Sequence, residues 1–399
     1  MLLLAPSAFA ANGSSTMPAL VRQNGELKQA NVSLPDLVST NSFQGKYFTV
    51  VDAESDAPIP FTADATQKLR AATVYYAFSA AREYFLNTLK PLLSTLPPEQ
   101  QDYLNQPMVI RLNMDHPYSA AIHFDQAETL ANGAVTVPAS DELKQDSLKP
   151  WGAETWFFVA KSTKVPNPAA QIPGVLNNSS FKLSIFESLA QQDVIAALQQ
   201  ASIHNYSSTV FAEDLLVSFA LSEIALPIAA KAIQLIPSYI YLDAAMIPEI
   251  SANEYAHYAL MPWLGLKRRF HVGEGYAHYF AGKIMGLMEL QDKAGNYSKG
   301  YSPIRGDSSE MYSYMNEVGI YAAMSSFTFS VLEDLEKSLG HDGLPVIVGT
   351  LPYLGADSNL NIDFTRAVFT SLSDLGFQSG KDTTDESFVV HTVLEKRGF

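Results

Sequence analysis

The chain has 399 residues, 47% hydrophobic and 17% charged, with 22 Gly and 22 Pro; this is the composition of a globular protein of two or three structural units, not of a disordered or fibrous one. Its 41 acidic residues against 26 basic ones give a formal net charge of -15, a field that repels a phosphate backbone and argues against nucleic acid as a partner. The absence of cysteine excludes disulfides, thiolate metal sites and cysteine nucleophiles, so any metal must be held by His, Asp, Glu or weaker oxygen ligands.

The chain opens on a short apolar run ending in Ala8-Phe9-Ala10, the A-x-A pattern of an export-signal cleavage site. Residues 1–10 are therefore expected to be a signal-peptide remnant and the protein to be exported, periplasmic or secreted. Residues 11–42, rich in Ser, Asn and Gly, are expected to form a flexible leader. Residues 43–180 have an α/β pattern. Tyr47–Val51, Met108–Leu112, Ala134–Val137 and Thr155–Val159 suit strands, and a helix is predicted from Asp64 to Leu89 on the spacing of Leu69, Ala72, Val74, Tyr75, Phe78 and Phe85. Residues 162–180, with three prolines, read as a linker or long loop.

Residues 181–247 are expected to be a helical insertion. Its most apolar part, Leu215 to Ile236, is interrupted by Glu223, Pro227 and Lys231, so a buried helix pair is expected in place of a membrane span. Residues 248–399 are expected to hold two chemically informative helices and a helical C-terminal part.

The first of these helices is bounded by Pro248 and Pro262 and carries Asn253-Glu254-Tyr255-Ala256-His257. The second follows as His271-Val272-Gly273-Glu274-Gly275-Tyr276-Ala277-His278-Tyr279-Phe280-Ala281, with Ala277, Phe280, Ala281 and Ile284 as its buried stripe. Residues at i and i+4 share one helix face, so two imidazoles at that spacing can grip one zinc ion while a neighbouring glutamate acts on the bound water. A carboxylate from a second helix then completes the ligand set and leaves the fourth position open.

Asn-Glu-Tyr-Ala-His-Tyr-Ala-Leu at 253–260 resembles the H-E-Y-x-H helix of the gluzincin, or thermolysin-like, zinc metallopeptidases, and 273–282 resembles their glutamate-ligand helix. The segment 73–85 is similar to the helix preceding their N-terminal sheet, Asn132 to Pro138 to their N-N-A-x-x-x-P edge region, and 317–335 to the long helix of their C-terminal subdomain. The resemblance covers most of residues 45–399. It implies an α+β fold: an N-terminal mixed sheet with helices, then a mostly helical C-terminal subdomain, in thermolysin-like architecture with a helical insertion. It also implies zinc as cofactor, His257 and Glu274 as ligands, Glu254 as general base, and a peptide or protein in the cleft. A Tyr or His that stabilises the oxyanion is implied as well, for which Tyr312, Tyr314 and His341 are candidates.

Three positions depart from the family pattern. Asn253 stands where the first zinc-binding histidine belongs, and an amide oxygen is a far poorer zinc ligand than an imidazole nitrogen. Gly273 replaces the usual Asn before the glutamate ligand. His278 stands where relatives carry Asp or Asn to support the first histidine, so Asn253 and His278 are expected to preserve a hydrogen-bonded pair with their roles exchanged. Three functions follow: a metallopeptidase-like protein impaired or inactive as a zinc enzyme; an active peptidase with an atypical site of His257, Glu274 and either Asn253 or His278; or an envelope interaction protein acting through the 181–247 helices.

Overall fold

A computed structural model describes residues 15–23, 26–53, 55–114, 134–137, 156–160, 163–166, 239–242, 244–264, 271–286, 311, 320–355, 358, 362–377 and 385–399. They belong to two compact units. The first comprises Met1–Val21, Gln29–Lys161 and Ala244–Lys267, and the second Arg22–Lys28, Ser162–Asp243 and Arg268–Phe399. The fold class is α+β, a small mixed sheet followed by helices. No helix among the described residues is long and apolar enough to cross a membrane.

The described part of the chain begins with two neighbouring strands, β1 (Ser15–Gln23) and β2 (Glu26–Leu34). This corrects the expectation of a flexible leader over residues 11–42. Ala19, Leu20 and Val21 are buried, and the Leu20 amide donates to Thr73 Oγ1 at 2.9 Å, so apolar burial and a tertiary hydrogen bond order a stretch whose polar composition alone suggests disorder.

The first unit is built on a five-stranded sheet of β3 (Phe48–Asp52), β4 (Ala57–Pro58), β5 (Met108–Met114), β6 (Ala134–Val137) and β7 (Trp156–Ala160), in the order β4-β3-β5-β7-β6. The three central strands are parallel, and both edge strands run antiparallel to their neighbours. The expected strands appear within two residues of their sequence positions, because β-branched and aromatic runs bounded by turn residues favour the pleated conformation.

Helix α1 (Ala65–Thr88) connects β3 to β5. Its N-terminus is capped by the Asp64 side chain, which accepts from the Gln67 amide at 2.9 Å. Its buried face, including Ala71, Val74, Tyr75, Phe78, Ala81 and Phe85, covers the sheet, where Phe48, Val50, Ile110 and Leu112 are buried. A short helix, α2 (Lys90–Leu93), follows. Helix α3 (Pro248–Leu264) also belongs to this unit, packing along α1 and beside the edge strand β6. The division between the two units falls between the two informative helices of 248–399. Tertiary packing of aromatic side chains against the sheet, which chain order does not encode, draws α3 to the first unit.

The second unit contains the antiparallel pair β8 (Thr163–Pro166) and β9 (Tyr239–Leu242) and five helices among the described residues: α4 (His271–Met285), α5 (Ile320–Leu339), α6 (Gly343–Gly349), α7 (Ile362–Asp374) and α8 (Glu386–Lys396). Strand β8 lies in the stretch expected as a loop, and β9 within the expected helical insertion; apart from β9 and residues 244–247, that insertion lies outside the described residues, as does the signal-peptide segment. Helix α4 packs along α5, and α8 closes against α5 through the buried Arg397, whose Nε and Nη2 both donate to Asp334 Oδ2, at 3.0 and 2.6 Å. The Phe399 ring stacks on Phe327 at 5.7 Å in the same corner.

Candidate functional site

Helix α3 begins at Pro248, whose fixed φ and missing N–H suit a first helical position. It runs through Pro262, expected from the sequence to end it, and stops at Leu264. A proline in the last turn removes the hydrogen bond to the Tyr258 carbonyl alone, and the neighbouring Ala259 carbonyl accepts from the Tyr103 hydroxyl. The Tyr258 hydroxyl in turn donates to the Tyr103 carbonyl at 2.6 Å, so two reciprocal bonds tie α3 to the turn at Tyr103–Asn105.

The rotation of α3 about its axis is set by Tyr255. Its fully buried ring meets Phe48 at 5.9 Å, Phe78 at 5.8 Å and Phe85 at 6.2 Å. At 100° per residue, Asn253 and His257 then project roughly 160° away from Tyr255, on the opposite side of the helix, with Glu254 flanking them. Asn253 is 7% exposed, Glu254 is buried and His257 is half-buried. Asn253 Nδ2 is buried with no hydrogen-bond partner.

In the second unit α4 carries Glu274 and His278 one turn apart. Ala277, Phe280 and Ala281 of the expected stripe are buried, and Ile284 is half-buried. The Tyr276 hydroxyl is hydrogen-bonded to Thr350 Oγ1, Tyr279 donates to Glu336 Oε2 at 2.8 Å, and Lys283 pairs with Glu336 Oε1. These anchors fix the rotation of α4 against its own unit. The His278 side chain is 5% exposed and that of Glu274 39%, and His278 Nε2 lies 3.0 Å from Glu274 Oε1. The contact is within ion-pair distance.

Burial dominates the tyrosine electrostatics on both helices. It pushes the Tyr255 phenol well above its ordinary value, with Tyr258 adding to the effect; it also raises Tyr276 strongly, partly offset by the bond to Thr350. These phenols are neutral structural groups at ordinary pH.

Of the other site residues expected from the sequence, Tyr312 and Tyr314 lie outside the described residues. His341 sits on a 3₁₀ turn with its side chain 92% exposed, 3.2 Å from Asp342, which leaves it in solvent rather than in a shaped site. Among the described residues no three His, Asp or Glu side chains are placed to hold a metal ion. The chain matches no family model and no curated protein.

At position 253 the side chain is an amide, a far poorer zinc ligand than the imidazole that the resemblance implies there, so this residue does not fit a catalytic zinc.

Proposed function

We propose that this chain is an exported, thermolysin-like protein that has lost zinc-dependent hydrolysis and retains the scaffold to bind extended peptides or protein segments. The observation that carries this reading is Asn253, which stands where the resemblance requires a ligand histidine, on the side of α3 opposite the Tyr255 ring. An amide there lacks the imidazole lone pair that a catalytic zinc site depends on. Peptide binding is supported by strand β6: it forms one edge of the sheet, antiparallel to β7, and among the described residues pairs on that side alone. An extended peptide adds to such an edge by main-chain hydrogen bonds. The antiparallel edge strand also supports the thermolysin-like reading, because it coincides with the segment, Ala134–Val137, that resembles the family's edge motif.

A second reading, an active zinc peptidase using His257, Glu274 and either Asn253 or His278 with Glu254 as base, rests on one measurement. The 3.0 Å between His278 Nε2 and Glu274 Oε1 is near the roughly 3.3 Å that separates two donors on a tetrahedral zinc. Two donors do not make a site, and the first reading stands on the weaker chemistry of the third.

Metal analysis of protein purified from its export compartment, with peptide cleavage measured before and after chelation, tests both. The expected result is substoichiometric zinc, no chelator-sensitive cleavage and saturable binding of extended peptides. Stoichiometric zinc with chelator-sensitive hydrolysis would establish the second reading in its place.

A further inference from the structure

We propose that α8 is a strap that lifts from the second unit by itself, fastened by a hook at Arg397-Gly398-Phe399, and that the ion pair inside the hook sets how often it lets go. The strap has little apolar hold of its own. Of its eleven residues Val390 and Leu394 alone are buried, and Phe388 is 41% exposed. The helix beneath it differs, since α5 buries Phe327, Phe329, Val331, Leu332, Leu335 and Leu339. A segment with few buried apolar side chains opens locally while the rest of a domain stays folded.

The hook follows from one glycine. Gly398 has a φ of 79°; its amide donates to the Glu395 carbonyl and the Phe399 amide to the Leu394 carbonyl, both at 3.0 Å. This is a Schellman reversal, which glycine adopts without strain. It turns the Phe399 ring back onto Phe327, at 5.7 Å, and Phe364, at 5.8 Å, both of them buried. Next to it the Arg397 side chain, 1% exposed, donates twice to Asp334, whose side chain is 31% exposed. A buried guanidinium is tolerated with its counter-charge, but both groups regain hydration when the strap lifts, so the pair holds no better than an apolar side chain of the same size. Lifting bares the faces of Phe327 and Phe364 that Phe399 covers.

Amide hydrogen exchange of the whole protein, read segment by segment by mass spectrometry, tests this on the wild type, Asp334→Asn, Gly398→Ala and Arg397→Met. In the wild type α8 is expected to exchange at least about tenfold faster than α4 and α5. Asp334→Asn leaves the guanidinium buried without its counter-charge and is expected to speed α8 by a further factor of about ten or more, with α4 and α5 unchanged. Gly398→Ala strains the reversal and is expected to speed α8 about fivefold. Arg397→Met is expected to exchange no faster than the wild type. Exchange of α8 at the same rate as α5 in the wild type overturns the strap, as does equal acceleration of α4, α5 and α8 by Asp334→Asn. Acceleration of α8 by Arg397→Met as large as that by Asp334→Asn overturns the role given to the ion pair. Should Asp334→Asn fail to fold, Gly398→Ala and Arg397→Met decide by the same readout.

Discussion

The Tyr255 ring stands edge-on to Phe78, centroids 5.8 Å apart and planes at 80°, and this contact orients α3. Because Phe48 and Phe85 close on the same ring, the helix cannot rotate without breaking an aromatic cluster that spans strand β3 and helix α1. The side of α3 carrying Asn253 and His257 is thus set by a residue that takes no part in its chemistry.

The Tyr255 hydroxyl is buried without a hydrogen-bond partner, whereas the ring is packed on several sides. Removing the ring with Tyr255→Ala is expected to destabilise the protein by about 3–5 kcal/mol. Removing only the oxygen with Tyr255→Phe is expected to be neutral or stabilising by about 1 kcal/mol, since an unsatisfied polar group leaves the core. Urea unfolding of both variants checks this; a clear loss of stability in Tyr255→Phe would show that the hydroxyl is satisfied in solution.

Alkaline pH is expected to unfold the protein. Tyr75, Tyr103, Tyr255, Tyr258 and Tyr276 all have phenols raised above the ordinary value of 10.0, chiefly by burial. Above that value the unfolded chain loses phenolic protons that the folded chain keeps, so the unfolded state binds fewer protons and stability falls as pH rises. The contribution is fully present below pH 10.0 and is lost on passing upward toward the folded-state values. Phenolate absorbance should rise cooperatively with the loss of the far-ultraviolet helix signal; gradual ionisation with helix retained would count against the burial argument.

Gly343 opens α6 where it meets α5 at closest range. A Cβ built there would lie 2.5 Å from Glu336 Cα and 2.9 Å from its carbonyl oxygen, both rigid backbone atoms. Gly343→Ala is therefore expected to cost about 1–3 kcal/mol by overpacking, despite alanine's better helix propensity. Melting temperature reads the balance, and an unchanged or raised value would mean that α6 shifts freely.

Chelation is expected to leave the melting temperature of the wild type unchanged. A ligand held only by the folded state raises stability by RT ln(1 + [L]/Kd), with [L] the free ligand, so a resident zinc would be exposed by a drop on adding chelator. Differential scanning with and without chelator, followed by zinc addition, makes the comparison.

Much of the first unit is legible in the sequence. The Asp64 cap, the apolar spacing through Phe85 and the β-rich runs place α1 and β3, β5, β6 and β7 close to where they fold, because capping and periodicity are local signals. The leader was harder to read. Strands β1 and β2 flank Asn24-Gly25, a strong hairpin signal, but the polar composition around it masks the short buried run Ala19–Val21. The extent of α3 past Pro262 is also hidden, since contacts that hold this end of the helix come from Tyr103, distant in sequence.

The sequence by itself determined which side chains stand in the informative tetrad, that an amide replaces an imidazole at 253, and that helices carry both halves, because residue identity and helical period are properties of the chain alone. Only the tertiary structure decided that α3 belongs with the sheet while α4 belongs with the C-terminal helices, that the Tyr255 ring packs among Phe48, Phe78 and Phe85, and that His278 lies against Glu274. Those outcomes depend on which aromatic rings and carboxylates fill the same space. That is settled by packing between segments far apart in the chain, and no local pattern encodes it.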